Sequence, residues 1–139
     1  MTKAWVIGSN GLLGAALLNV LRRGEINLFI HNECFCWDRE SELCVQLEAA
    51  VKSFATFVDT ENSWQIYWAA GVGTMSSTEE ELVLETRVLS KLLNLVESQP
   101  ELINTTGCFA FASSAGALYA GSADDVITEN TTIAPTTAY

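Results

Sequence analysis

The stretch Val6-Ile7-Gly8-Ser9-Asn10-Gly11-Leu12-Leu13-Gly14, running straight into Ala15 to Gly24, constrains this chain more than any other part of its sequence. The apolar run Ala4 to Ile7 reads as a buried strand, the glycines as a tight turn, and Leu12 to Arg23 as a helix closed by Gly24. The three glycines have separate tasks. Gly8 permits the turn, Gly11 lets the main chain approach a pyrophosphate, and Gly14 lets the helix pack closely on the strand. The helix start then presents free N–H groups and the positive end of its dipole to phosphate. A strand feeding such a turn and helix is the context in which a glycine triplet reads as a dinucleotide site rather than a purely structural turn. On this reading Gly8, Ser9, Asn10, Gly11, Leu12, Leu13 and Gly14 bind a cofactor.

At 139 residues, 49% of them hydrophobic, the chain fits one domain with a sizeable core. Seven Lys+Arg against seventeen Asp+Glu give a net charge of -10, which argues against nucleic acid or an anionic membrane as partner. No basic-then-apolar leader opens the sequence and no apolar run reaches the length of a membrane span, so a cytoplasmic protein is expected. Cys34, Cys36, Cys44 and Cys108 are then expected to be reduced and partly buried. His31, Cys34, Cys36 and Cys44 have the chemistry to hold zinc, but their spacing matches no ligand pattern and no metal is expected. The sequons at Asn104 and Asn130 carry no weight without a secretion signal.

Ile26 to Ile30 reads as a second strand ending at His31 and Asn32, where a dinucleotide fold usually places an acidic residue on the adenosine ribose. Neither residue is acidic; Glu33 is the nearest carboxylate. This leaves NAD and NADP both open, with Arg39 the candidate for a 2′-phosphate. Glu33 to Trp37 suggests a short third strand, followed by Asp38 and a helix from about Ser41 through Phe54 with Leu43, Leu47, Ala50, Val51 and Phe54 on its core face. Ser63 to Gly71 reads as a strand whose small end residues, Ala69, Ala70 and Gly71, admit either a ligand or a closely packed helix. Overlapping S/T-x-x-E capping boxes at Ser76 to Glu81 predict a long helix to about Ser98, ended by Pro100. Leu82, Leu89, Leu93 and Val96 mark one apolar face of it, and Leu84, Val88, Leu92 and Leu95 a second, which suggests a homodimer through residues 79–98. Cys108 to Ala112 is a further strand, running into Ser113-Ser114 and an acidic tail that finishes at Tyr139. Strands alternating with helices predict an α/β fold, a doubly wound parallel sheet with helices on both faces and its ligand at the C-terminal strand ends.

These motifs resemble the extended short-chain dehydrogenase/reductase superfamily, in its NAD-dependent epimerase/dehydratase branch. The resemblance spans nearly the whole chain: Gly8, Gly11 and Gly14 match a G-x-x-G-x-x-G fingerprint, Ala69-Ala70-Gly71 the strand ending near the cofactor, Phe111 to Gly121 the strand leading to Ser-Ser and a nearby Tyr, and Thr128 to Tyr139 the segment before Tyr-x-x-x-Lys. What it implies is a Rossmann-type domain using NAD or NADP on a small, sugar-nucleotide-like substrate. By the same resemblance Tyr139 is the acid/base tyrosine, Ser114 the hydroxyl that polarises the substrate carbonyl with Ser113 second to it, and Asp38 the carboxylate on the adenine amine. The asparagine that the family often carries in the long helix is replaced around Glu85 or Thr86. The family's lysine would fall at position 143, beyond the last residue. The expectation is therefore a cofactor-binding part truncated before the last strands and the substrate lobe, itself inactive. The other reading is a dinucleotide-binding regulator or scaffold that has lost catalysis.

Overall fold

In the computed structural model, which describes residues 1–71, 73–74 and 76–139, the alternation of strand and helix runs as the apolar pattern requires. Its elements are β1 (Thr2–Ile7), α1 (Leu12–Leu21), β2 (Ile26–Phe29), α2 (Glu40–Val58), β3 (Ser63–Trp68), α3 (Glu79–Glu97), α4 (Pro100–Ile103), β4 (Gly107–Phe111) and α5 (Ala115–Leu118). The four strands form one sheet in the order β2-β1-β3-β4, every neighbour parallel. Trp5 stands beside Phe29 on one side and Ile66 on the other, while Ile7 pairs with Trp68 and Trp68 with Phe111.

Successive residues of a strand point to opposite faces, so each central strand feeds two cores. Trp5 and Ile7, with Trp64, Ile66 and Trp68 of β3, pack under α2, α3 and α4. Ala4 and Val6 face the other way, into a smaller cluster with Leu17, Leu18 and Leu21 of α1 and Ile26 and Leu28 of β2. Burial on both faces is why Ala4 to Ile7 reads as an unbroken apolar run rather than an alternating one. The face of α2 predicted from spacing is buried as expected, and the helix runs on through Ala55 and Val58 to its end at Asp59. There the Asp59 carboxylate accepts hydrogen bonds from the Glu61 N–H at 2.9 Å and the Asn62 amide at 2.7 Å, closing the turn. Among the described residues no helix is long and apolar enough to cross a membrane.

Two local expectations are corrected. Residues 33–37 form no strand. The Gln46 side chain of α2 takes the place of a neighbouring strand, accepting from the Cys36 N–H at 2.8 Å and donating to the Cys34 carbonyl at 3.1 Å. Held at these two main-chain groups, the segment lies over the core, Phe35 packed against it and Trp37 edge-on to Trp68 at 6.0 Å. Pro100, expected to end the long helix, instead opens α4; α3 has already stopped at Glu97, capped by Ser98. Proline suits a first helical turn because its missing N–H has no partner to lose there. The short helix then brings the Leu102 carbonyl to the Trp64 indole N–H, at 2.9 Å, so that this buried donor is satisfied.

Both apolar rows of α3 turn largely inward. Val88, Leu92 and Val96 are buried and Leu84, Leu89 and Leu95 pack against the same core, leaving Val83 and Leu93 as the exposed apolar positions. Removing the Gln46 amide isolates one part of this arrangement. Gln46→Ala is expected to lower unfolding free energy by about 1 kcal/mol, the part-buried Cys36 N–H losing its partner while the exposed Cys34 carbonyl turns to water, and to weaken the near-ultraviolet signal of Trp37, read by urea titration and circular dichroism.

Candidate functional site

In a parallel sheet the C-terminal strand ends lie along one edge, and here β1 has β2 on one side and β3 on the other, so the chain order reverses between them. The turn 8–14, the segment 30–38, residues 69–74 and residues 112–114 all leave the sheet along this edge. The sequence-predicted cofactor residues are thereby collected on one side of the molecule.

At the reversal the main chains meet closely. The Ala69 N–H donates to the Ile7 carbonyl at 2.9 Å, extending the ladder past the end of β1. Gly8 follows with φ +86°, and a Cβ built on it would stand 2.5 Å from the Ala70 nitrogen and 2.6 Å from the Ala69 carbonyl carbon. A Cβ on Gly14 would lie 2.2 Å from the Gly8 oxygen. These two glycines are required by the packing of the chain on itself. Gly11 is not: its Cβ would meet only the Gly8 oxygen, at an ordinary 3.4 Å, and its own N–H bonds that oxygen at 3.0 Å. Leu12 is 94% exposed and Leu13 lies half outside, so α1 begins with its first turn open.

The starts of α1 and α3 differ in kind. Thr78 caps α3 with a complete capping box to Glu81, and Glu79, Glu80 and Glu81 line its first turn. α1 has no side-chain cap at Gly11 and no acidic residue in its first turn. Its orphan N–H groups and dipole therefore face outward without a competing carboxylate on the same turn, the arrangement that receives an anion.

Past β2, His31 stacks on Phe35 at 4.9 Å, and its Nε2 is buried without a hydrogen-bond partner among the described residues. An unpartnered buried ring nitrogen calls for an explanation, and a ligand donor or acceptor supplies one. Asn32 and Asp38 are exposed. Arg39 is committed elsewhere, paired with Glu42 at 2.5 Å and donating to the Cys36 sulfur at 3.3 Å.

Ala69 and Ala70 are half-buried beside Gly8, and Gly71 is exposed. One side chain at this mouth went unassigned from sequence. Glu85, on the inward side of α3, accepts the Gly73 N–H at 2.8 Å, and its carboxylate lies 3.2 Å from where a Cβ of Gly71 would be. It anchors the loop after β3. In the sequence it stands, with Thr86, where the resembled family often carries an asparagine; the local signal for its loop contact is a carboxylate set between Leu84 and Val88 in an apolar row.

Ser114 caps α5, its hydroxyl oxygen accepting from the Ala117 N–H at 3.4 Å, and Ser113 is exposed at the strand end. The tail folds back so that Gly121 and Ala134, and Ala134 and Leu118, share main-chain bonds of 2.8 Å. Tyr139 is 37% exposed, and among the described residues no hydrogen bond or ring contact joins it to either serine. His31, Cys34, Cys36 and Cys44 do not converge; among the described residues no three potential metal ligands gather. The Cys36 thiol instead donates to Glu42 at 3.1 Å. That bond, then partial burial and the negative charge of Glu42, push its pKa up against the opposing pull of Arg39.

Protein-family models, curated protein sequences and solved structures were compared with this chain, and none matches. What the coordinates define is an α/β domain, a four-stranded all-parallel sheet flanked by helices, with a glycine turn at its strand-order reversal.

Two predictions follow from these contacts. Gly8→Ala and Gly14→Ala should each destabilise the fold by about 2 kcal/mol or more, through backbone strain and overlap, whereas Gly11→Ala should stay within about 0.5 kcal/mol of the parent, all by chemical denaturation. Cys36 should alkylate more slowly than exposed Cys34 and Cys108 at mildly alkaline pH, because less of it is thiolate; Glu42→Gln should speed it, measured by peptide mapping after timed iodoacetamide labelling.

Proposed function

We propose that this chain binds a nicotinamide dinucleotide, NAD or NADP, with the diphosphate over Gly8 to Gly14. It is then the Rossmann-type, cofactor-binding part of an NAD(P)-dependent epimerase/dehydratase or reductase acting on a sugar-nucleotide-like substrate. The observation that carries the reading is Gly11. Nothing in the protein's own packing needs a glycine there, while the space its side chain would fill lies over an uncapped helix start. Ser9, Asn10 and the N–H groups of Leu12, Leu13 and Gly14 hold the diphosphate, aided by the positive end of α1. Ala69, Ala70 and Gly71 give main-chain contact along the crevice. His31, Asn32 and Asp38 serve the adenosine half, the free His31 Nε2 meeting a ribose or base polar group.

The dinucleotide supplies hydride acceptance and donation. In this reading Tyr139 acts as its phenolate, taking the proton of a substrate hydroxyl to become the neutral phenol, and the Ser114 O–H donates to the oxygen on which negative charge gathers. Because the Ser114 oxygen already accepts from Ala117, its hydroxyl proton is left to point elsewhere. Ser113 is the alternate donor. The protein is placed in the cytoplasm on the same reading, with a small-molecule substrate and neither nucleic acid nor membrane as partner.

A second reading, a dinucleotide-binding regulator or scaffold without catalysis, is favoured by one observation. Among the described residues Tyr139 has no hydrogen bond to Ser113 or Ser114 and no cation over its ring.

Titration with NADH and NADPH, followed by nicotinamide fluorescence, tests the binding. Gly11→Val should weaken affinity at least about tenfold, which is about 1.4 kcal/mol, with the melting temperature unchanged. Failure of the parent to bind either coenzyme, or unaltered affinity in the variant, overturns the site. Tyr139→Phe should leave coenzyme binding intact on both readings.

A further inference from the structure

The segment that leaves β3 is fixed at both ends. At its start the Ala69 N–H donates to the Ile7 carbonyl at 2.9 Å, and the Ala70 nitrogen lies 2.5 Å from where a Cβ of Gly8 would stand, so both alanines are set against the glycine turn. At its far end the Gly73 N–H donates to Glu85 Oε1 at 2.8 Å. The fit there is close. A Cβ on Gly73 would lie 2.9 Å from Glu85 Oε2 and 3.0 Å from Leu82 Cδ2, and a Cβ on Gly71, whose φ is +128°, would lie 3.2 Å from the same oxygen. Two glycines thus receive one carboxylate. Glu85 is half-buried on the inward side of α3, between Leu84 and Val88. A carboxylate in that row costs desolvation that a leucine would not, and the Gly73 N–H offsets part of it. α3 itself has no need of the group, because Val88, Leu92 and Val96 seat the helix in the core and Thr78 with Glu81 caps its start.

We infer that Glu85 is a positioning residue for the nicotinamide half of the coenzyme, acting through Gly71 and Gly73 rather than by touching the ligand. This rests on the dinucleotide reading, which puts the diphosphate over the turn after β1 and the adenosine half past β2, at His31. β3 and β4 lie on the other side of β1, so the second half of the molecule extends across the end of β3 toward Ser113 and Ser114. Ala69, Ala70, Gly71 and Gly73 are then its wall. A main-chain wall orients a ring only as far as its own position is fixed, and a displacement of about 1 Å is enough to spoil a reactive geometry. The Ile7 and Gly8 contacts hold one end of this wall, and Glu85 holds the other. The sites of the diphosphate and of the adenosine half, from Gly8 to Gly14 and past β2, are built from other elements.

The test compares the whole coenzyme with the half that does not reach the wall. The parent is titrated by calorimetry with NADH or NADPH, whichever it binds, and with ADP, carrying a 2′-phosphate in the second case. Glu85→Ala should weaken the coenzyme at least about fivefold while leaving ADP within about twofold of the parent and the circular dichroism unchanged. Glu85→Gln keeps an oxygen for the Gly73 N–H and should hold coenzyme affinity within about twofold of the parent. Equal losses for coenzyme and ADP, or an unfolded Glu85→Ala, mark a role in the fold alone and overturn the inference. So do an unaltered coenzyme affinity in Glu85→Ala and a glutamine variant as weak as the alanine one. A parent that binds coenzyme but not ADP overturns it too, because the two halves are then not held separately. A parent that binds neither coenzyme fails the dinucleotide reading itself, and the role of Glu85 falls with it.

Discussion

The close meeting of Gly8 with the Ala69-Ala70 main chain and with Gly14 is the constraint on which the rest of this structure depends. It joins the end of β1, the end of β3 and the first turn of α1 at separations that leave no room for a Cβ. Because the two strands are already tied by the Ala69 to Ile7 bond, α1 has only one direction in which to leave the sheet. That direction puts its uncapped end outward along the C-terminal edge and its Leu17, Leu18 and Leu21 back onto Ala4 and Val6. One packing requirement thus sets both the smaller core and the opening above it.

The opposite face is held by bulk. Trp5, Trp64, Trp68 and Phe54 form a core in which the Leu102 carbonyl accepts from the Trp64 indole, while Gln46 meets the Cys36 N–H and the Cys34 carbonyl of the segment beside it. This division of labour fits a site that must stay fixed at one end and open at the other. The aromatic face resists deformation because a dense interior has few alternative arrangements. The glycine turn needs no such mass; it is set by sterics alone. Glu85 adds a third restraint, pinning the loop after β3 by a single carboxylate on Gly73. Among the described residues, the polar groups without an internal partner stand in contrast: the α1 start and the His31 Nε2. Each belongs to a binding proposal rather than to the stability of the chain.

Most elements were legible in the sequence because their signals are local. The glycine spacing, the apolar run of β1, the 3–4 spacing of Leu43, Leu47, Ala50, Val51 and Phe54, and the Thr78–Glu81 box each depend on residues within a few turns of one another. A parallel sheet with helices on both faces follows from their alternation. The serine pair lies at a strand end as expected, whereas the position of Tyr139 relative to it depends on how the twenty-four residues between them fold back, which no local pattern fixes.

By itself the sequence determined which segments are strands and helices, which of their faces are apolar, and that the first turn is built of glycine. Those are matters of periodicity and backbone sterics, decided within short spans. Tertiary structure alone decided that residues 33–37 lie as an extended cover and not a strand, because Gln46 from another element satisfies their main chain. It alone separated Gly8 and Gly14, which the fold needs, from Gly11, which it does not, because that distinction rests on atoms of β3 and of the turn that no local pattern brings together.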